Sequence, residues 1–141
     1  MKCLPPEIPI RTQSRQPMQE EKEDREQVPT TPIEFVHGGI TYEIWCGRNA
    51  ANNDQLLDFA APEDLWFHVA NVSSGHVILR NPRKEALRKI PKQVVKRCAC
   101  ICKATIKVRG TCTIMYTERK RVTKTDAPGR VIVDSWKEVV V

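Results

Sequence analysis

The run PEDLWFHVANVSSGHVILR, residues 62–80, alternates apolar and polar side chains at a period of two, the pattern of two short strands. In the first, Leu65, Phe67 and Val69 point one way and Asp64, Trp66 and His68 the other; in the second, Val77 and Leu79 oppose His76, Ile78 and Arg80. One face of the resulting sheet is expected to be core. The other carries an indole, two imidazoles and a guanidinium, and is expected to meet a ligand.

The flanking segments read as a small α+β domain, mostly antiparallel, with one principal helix and one short helix. IEFVH, the Gly38-Gly39 turn and ITYEIWC form a hairpin. Asn49 or Asn52 caps a short helix over roughly 53–60, which Pro62 prevents from continuing. Pro82 and Pro91 each suit a first helical turn, and the second opens the longer helix, about 91–104, with Val94, Val95, Cys98, Ile101 and Cys102 at helical spacing. A strand TCTIMY follows, then a basic link ERKRVTK, the turn Ala127-Pro128-Gly129, and a final hairpin of VIVD with EVVV. Residues 1–31 are rich in Pro, Gln, Glu and Thr and poor in large apolar residues, so they are read as a disordered or partner-ordered tail and residues 32–141 as the single domain.

Charge narrows the partner. The chain has a formal net charge of +6, and its first 31 residues hold six acids against five bases, so the excess lies in the folded part. Between Arg80 and Arg109 there are eleven basic residues and one acid, Glu85; Lys92, Lys96 and Lys103 share the polar side of the longer helix. A second cluster, Arg119, Lys120, Arg121 and Lys124, stands beside the glycine turn. Such surfaces favour a polyanion, nucleic acid before an acidic membrane, because neutralised phosphates release counterions. A solvated helix face is the plainer reading of any one lysine.

Six cysteines with no secretory segment argue for free thiols in a reducing compartment, the cytoplasm first. Arg11, Ser14 and Arg15 leave a mitochondrial address open, against which the prolines and the acidic 20–26 run count. Cys98 and Cys102 share one helix face, but no second pair completes a zinc site, so they read as small buried hydrophobes and no cofactor is expected. No window of about 18 apolar residues is present to span a membrane.

Five motifs occur in order: GRN at 47–49 with Asn53, PEDLWFHV, SSGHVILR, Ile90-Pro91 opening a helix, and YTERKRVTKTDAPGRV. Through them, residues 40–141 or so resemble the NFACT-R family, the RNA-binding domain of nascent-chain-tailing factors in ribosome-associated quality control, which also occurs alone and in small coiled-coil proteins. The resemblance implies RNA binding without catalysis, of ribosomal RNA or tRNA, with the ribosome or a ribosomal subunit as partner and no small-molecule substrate. Its motif positions here are Gly47, Arg48, Asn49, Asn53, Asp64, Trp66, His68, Ser74, His76, Lys120, Lys124, Pro128 and Gly129. Ser73-Ser74-Gly75 departs from the family's more usual Pro-Gly-Ser run.

The candidate nucleic-acid contacts are Arg48, Asn49, Asn53, Trp66, His68, His76, Arg80, Lys92, Lys96, Lys120, Arg121 and Lys124. Trp66 has two readings, a platform on which a base stacks or a core ring. His68 and His76 are read as facing the ligand, and Arg80 as gripping phosphate. Two alternatives stand beside this. One is a structural subunit of a ribosome or other RNP particle; the other is a metal-assisted phosphodiesterase using Asp64, His68 and His76.

Overall fold

The computed structural model describes residues 31–141, so the tail assigned to 1–31 lies almost wholly outside the described residues. Strand β1 (Ile33–His37) turns at Gly38-Gly39, both at positive φ, into β2 (Ile40–Cys46), the hairpin expected from sequence. Helix α1 (Ala50–Phe59) follows, then β3 (Leu65–Val69), β4 (Val77–Leu79), a 3-10 turn (Leu87–Lys89) and the longer helix α2 (Lys92–Lys103). Strand β5 (Thr113–Glu118), a second 3-10 turn (Arg119–Arg121), β6 (Val122–Lys124), β7 (Val131–Val133) and β8 (Lys137–Val140) complete the chain. Six strands form one antiparallel sheet in the order β1-β2-β4-β3-β5-β8, and β6 pairs with β7 in a separate hairpin.

The sheet is covered on both faces. On one, Leu65, Phe67, Val69, Val77 and Leu79 pack with Val94, Val95, Cys98, Ala99 and Cys102 of α2 into the main core. Fully burying one such large apolar side chain contributes roughly 1.5–3 kcal/mol. Cys98 and Cys102 are the small core residues their spacing suggested, and burial pushes the Cys102 thiol up to about 12. On the other face, Trp66 and Ile78 are sealed by Leu56 and Leu57 of α1 and by Val122 of the β6-β7 hairpin, with Val131 and Val133 packed alongside. That corrects the expectation of one covered face and one open one. The alternation of residues 62–80 reports strand geometry faithfully, but it holds no information about a hairpin some fifty residues on that lies across the second face.

Two further expectations are revised. VIVD does not pair with EVVV: Val131–Val133 lies against Val122–Lys124, while β8 pairs with β5 at the sheet edge. The Thr125–Arg130 turn joins the two, with Arg130 N–H donating to the Ala127 carbonyl and Thr125 N–H to the Arg130 carbonyl. Pro82 opens no helix. Lys84 takes a left-handed φ of +51°, and the Asn81 side chain accepts from Glu85 N–H and donates to the Glu85 and Glu63 carbonyls, so the segment is a loop knitted to one asparagine.

Candidate nucleic-acid interface

Helix α1 begins three residues earlier than its apolar pattern indicates, because Asn49 is its cap: the Asn49 side chain accepts from Asn52 N–H at 2.9 Å. This first turn forms one wall of a cleft of about 370 Å³. Ser73, Ser74 and Gly75 form the second wall, the Pro128-Gly129-Arg130 turn the third, and Thr105, just beyond α2, the back. His68 projects into it from β3. The lining holds two guanidinium groups, Arg48 and Arg130, and no carboxylate.

Two close approaches fix the walls. A Cβ on Gly47 would sit 1.9 Å from Asn53 Oδ1, so no larger residue fits there without displacing the buried Asn53. Gly129 has φ +79° and would place a Cβ 3.2 Å from Ala50 Cα, which lets the hairpin turn lie against the first turn of α1.

Behind the cleft runs a buried polar chain. Gly47 N–H donates to the His76 carbonyl (2.9 Å), His76 N–H to Asn53 Oδ1 (3.1 Å), and the Trp66 indole N–H to His76 Nδ1 (3.1 Å). Indole is only a donor, so His76 Nδ1 carries no proton. Burial pushes the His76 pKa down to about 4, with the neighbouring His68 ring acting the same way and the Gly129 backbone and Asp54 opposing. His68 stacks on Trp66 with ring centroids 5.6 Å apart, and its Nδ1–H donates to the Val69 carbonyl at 2.6 Å. Burial lowers its pKa as well, against that carbonyl. Both imidazoles are therefore neutral at pH 7.

Of the candidate contacts the cleft brings together Arg48, Asn49, Asn53 and His68, beside the motif positions Gly47, Ser74, Pro128 and Gly129. Trp66 and His76, each 1 % exposed, stand behind it as supports, so neither presents a ring face to a base in this conformation. The remaining candidates lie elsewhere. Arg80 caps the Phe59 ring at 4.5 Å, with its Nε 2.7 Å from Asp64 Oδ2. Asp64 also accepts from Ala61 and Asn81 N–H, and sits four residues from His68 along β3, roughly 13 Å away. The trio Asp64, His68 and His76 is thus not gathered at one point, and among the described residues no group of three His, Cys, Asp or Glu is placed to hold a metal ion.

The 119–124 cluster is largely paired. Lys120 faces Glu118 at 3.6 Å, Arg121 faces Glu118 and Asp134, and Lys124 lies 2.9 Å from both Asp54 and Asp58 of α1, hydrogen bonds that raise its pKa. Arg119 donates to the Leu57 and Val122 carbonyls. Of these, Arg119 and Lys124 tie the hairpin to α1. Lys92 and Lys96 are exposed on the opposite side of the sheet, in a groove of about 730 Å³ between α2 and β8 that also holds Arg88 and Lys137. Among the described residues none of these four is ion-paired. Lys103 instead donates to the Gly110 and Val141 carbonyls.

Sequence reasoning missed Arg130, Ser73 and Thr105 as parts of the cleft. Arg130 directly follows the quoted Pro128-Gly129 motif, which was the available signal; Thr105 gave none, since its place depends on where α2 ends against Gly75, whose N–H donates to Thr105 Oγ1.

A three-layer α+β module with a cationic, carboxylate-free cleft is the class these features define. The chain belongs to the family described as NFACT protein RNA binding domain, whose model matches residues 34–134. It is 37% identical over 89 residues to Coiled-coil domain-containing protein 25 of Mus musculus, covering 60% of this chain and 42% of that protein. It is 26% identical over 130 residues to Rqc2 homolog RqcH of Bacillus subtilis, covering 86% of this chain and 21% of the relative. The chain thus spans less than half the length of these relatives. In fold it is similar to the C-terminal part of the fibronectin/fibrinogen-binding protein from Streptococcus suis, with a TM-score of 0.67, 22% identity, and coverage of 80% of this chain and 45% of that one. Among the described residues no helix is long and apolar enough to cross a membrane.

Proposed function

We propose that this chain is a non-catalytic RNA-binding module that holds a single-stranded or looped segment of ribosomal RNA or tRNA in a ribosome-associated setting such as quality control or assembly. The observation that carries this reading is the cleft at the start of α1, where Arg48 and Arg130 stand with polar side chains and backbone and no carboxylate. Membership of an RNA-binding domain family and similarity to RqcH support it. Looped RNA suits a cleft of this size because its bases are already splayed, whereas a duplex keeps its bases stacked and paired. The free thiols fit a reducing compartment, the cytoplasm first.

Two assays test it. Incubation with labelled RNA and a divalent metal is expected to leave the RNA intact while a shifted complex forms; cleavage would overturn the non-catalytic reading. Sedimentation of cell extract is expected to carry the protein with ribosomal subunits, and recovery only in the light fractions would overturn the ribosomal setting.

A further inference from the structure

His68 stands where two concavities meet. It lines the cleft described above and also an adjoining groove of about 580 Å³ whose sides are Met115, Val131 and Val133, with Trp66 at its floor. Ser73, Gly129 and Arg130 are shared between the two as well. Passing from one to the other, a ligand meets guanidinium groups and the first turn of α1, then an imidazole, then a slot flanked by Met115, Val131 and Val133 with Asn71 and Ser73 also in its lining. That order is the order of a nucleotide: phosphate, ribose, base. The cleft volume lies at the small end of the range of about 300–1,000 Å³ that small ligands fill, which suits one unit of a chain rather than a helix.

The imidazole is oriented for one role. The Val69 carbonyl only accepts, so the proton of neutral His68 is on Nδ1, which leaves Nε2 as an acceptor. Nε2 makes no hydrogen bond to any described residue, and it is not among the side-chain atoms shut off from solvent without a partner. We infer that, within the RNA-binding reading above, this cleft and groove take one nucleotide turned out of its strand, and that His68 Nε2 accepts a hydrogen bond from the ribose 2′-hydroxyl. Deoxyribose has no donor at that position, so His68 is the residue that prefers RNA to DNA. The Arg48 and Arg130 side chains contact the phosphate and serve both polymers alike.

The test compares a short single-stranded RNA of mixed sequence with its DNA counterpart and with the fully 2′-O-methylated RNA, against the intact chain and His68→Phe. Phenylalanine keeps a ring over Trp66 and removes the acceptor. The wild-type chain is expected to bind RNA about tenfold tighter than either analogue, the worth of one net hydrogen bond. His68→Phe is expected to lose that preference through weaker RNA binding, with DNA affinity held. Equal wild-type affinity for RNA and 2′-O-methyl RNA would overturn the inference without any variant, as would a His68→Phe chain that weakens both polymers equally. Absence of binding to every polymer would instead sink the RNA-binding reading on which the inference rests.

Discussion

The two faces of the central sheet are built from different chemistry. Under α2 the interface is largely apolar: Leu65, Phe67, Val69, Val77 and Leu79 pack with aliphatic, aromatic and thiol side chains. Under α1 and the β6-β7 hairpin, Trp66 and Ile78 share their layer with His76, Asn53 and Thr117, all buried, and the hairpin is held by Arg119 and Lys124 to α1. Burial of apolar side chains on the α2 face stabilises the fold without directional demands. The polar face spends burial on positioning, since each hydrogen bond from Gly47 through His76 to Trp66 fixes a wall of the cleft in front of it.

The two faces are expected to respond differently to substitution and to acid. Phe67→Ala on the apolar face is expected to cost about 3–5 kcal/mol in denaturant unfolding, while the folded fraction binds RNA as before. Acid acts on the polar face through His76. The folded His76 pKa of about 4 lies below its ordinary 6.5, so the unfolded chain binds the proton more readily. Stability is therefore full above about pH 6.5, falls by about 3 kcal/mol as pH drops toward 4, and is flat with respect to this group below that. His76→Gln is expected to flatten that segment of the profile; an unchanged profile would place the titration elsewhere.

Gly47→Ala forces a methyl onto Asn53 Oδ1 and is expected to cost about 1–3 kcal/mol, with RNA affinity falling in the folded protein, unlike Phe67→Ala. The smallest effect separates free from committed cations. Arg130→Ala is expected to reduce the slope of log affinity against log salt by about 0.7, the share of one phosphate contact on a single strand, whereas Lys120→Ala, whose charge already faces Glu118, leaves it nearly unchanged. Equal slopes for the two variants would show that ion pairing does not decide which cations meet the RNA.

Much of the scaffold was readable in the sequence because local chemistry specifies it. The Gly38-Gly39 hairpin, the apolar stripe of α2 and the burial of Cys98 and Cys102 follow from period, turn residues and composition. The pairing of Val131–Val133 was not readable, since VIVD is equally apolar toward either neighbour and only closure of the Thr125–Arg130 turn selects β6. Charge misled in the same way. ERKRVTK reads as a basic patch in one dimension, but its own Glu118 pairs with Lys120 and Arg121, and Asp134, Asp54 and Asp58 reach it in three. Most of the cleft was visible as motif positions, Gly47, Arg48, Asn49, Asn53, His68, Ser74, Pro128 and Gly129; Thr105 joins it only through the folding of a distant segment.

In the proposed reading, RNA enters at the start of α1 and not along the α2-β8 groove. NMR titration of the chain with short single-stranded RNA tests it most directly, by following backbone amides together with the imidazole nitrogens. Shifts are expected at Arg48, Asn49, Ser73 and Arg130 and at His68 Nε2, with Lys92 and Lys96 little changed. Shifts confined to Lys92, Lys96 and Lys137, with the His68 ring undisturbed, would contradict the account.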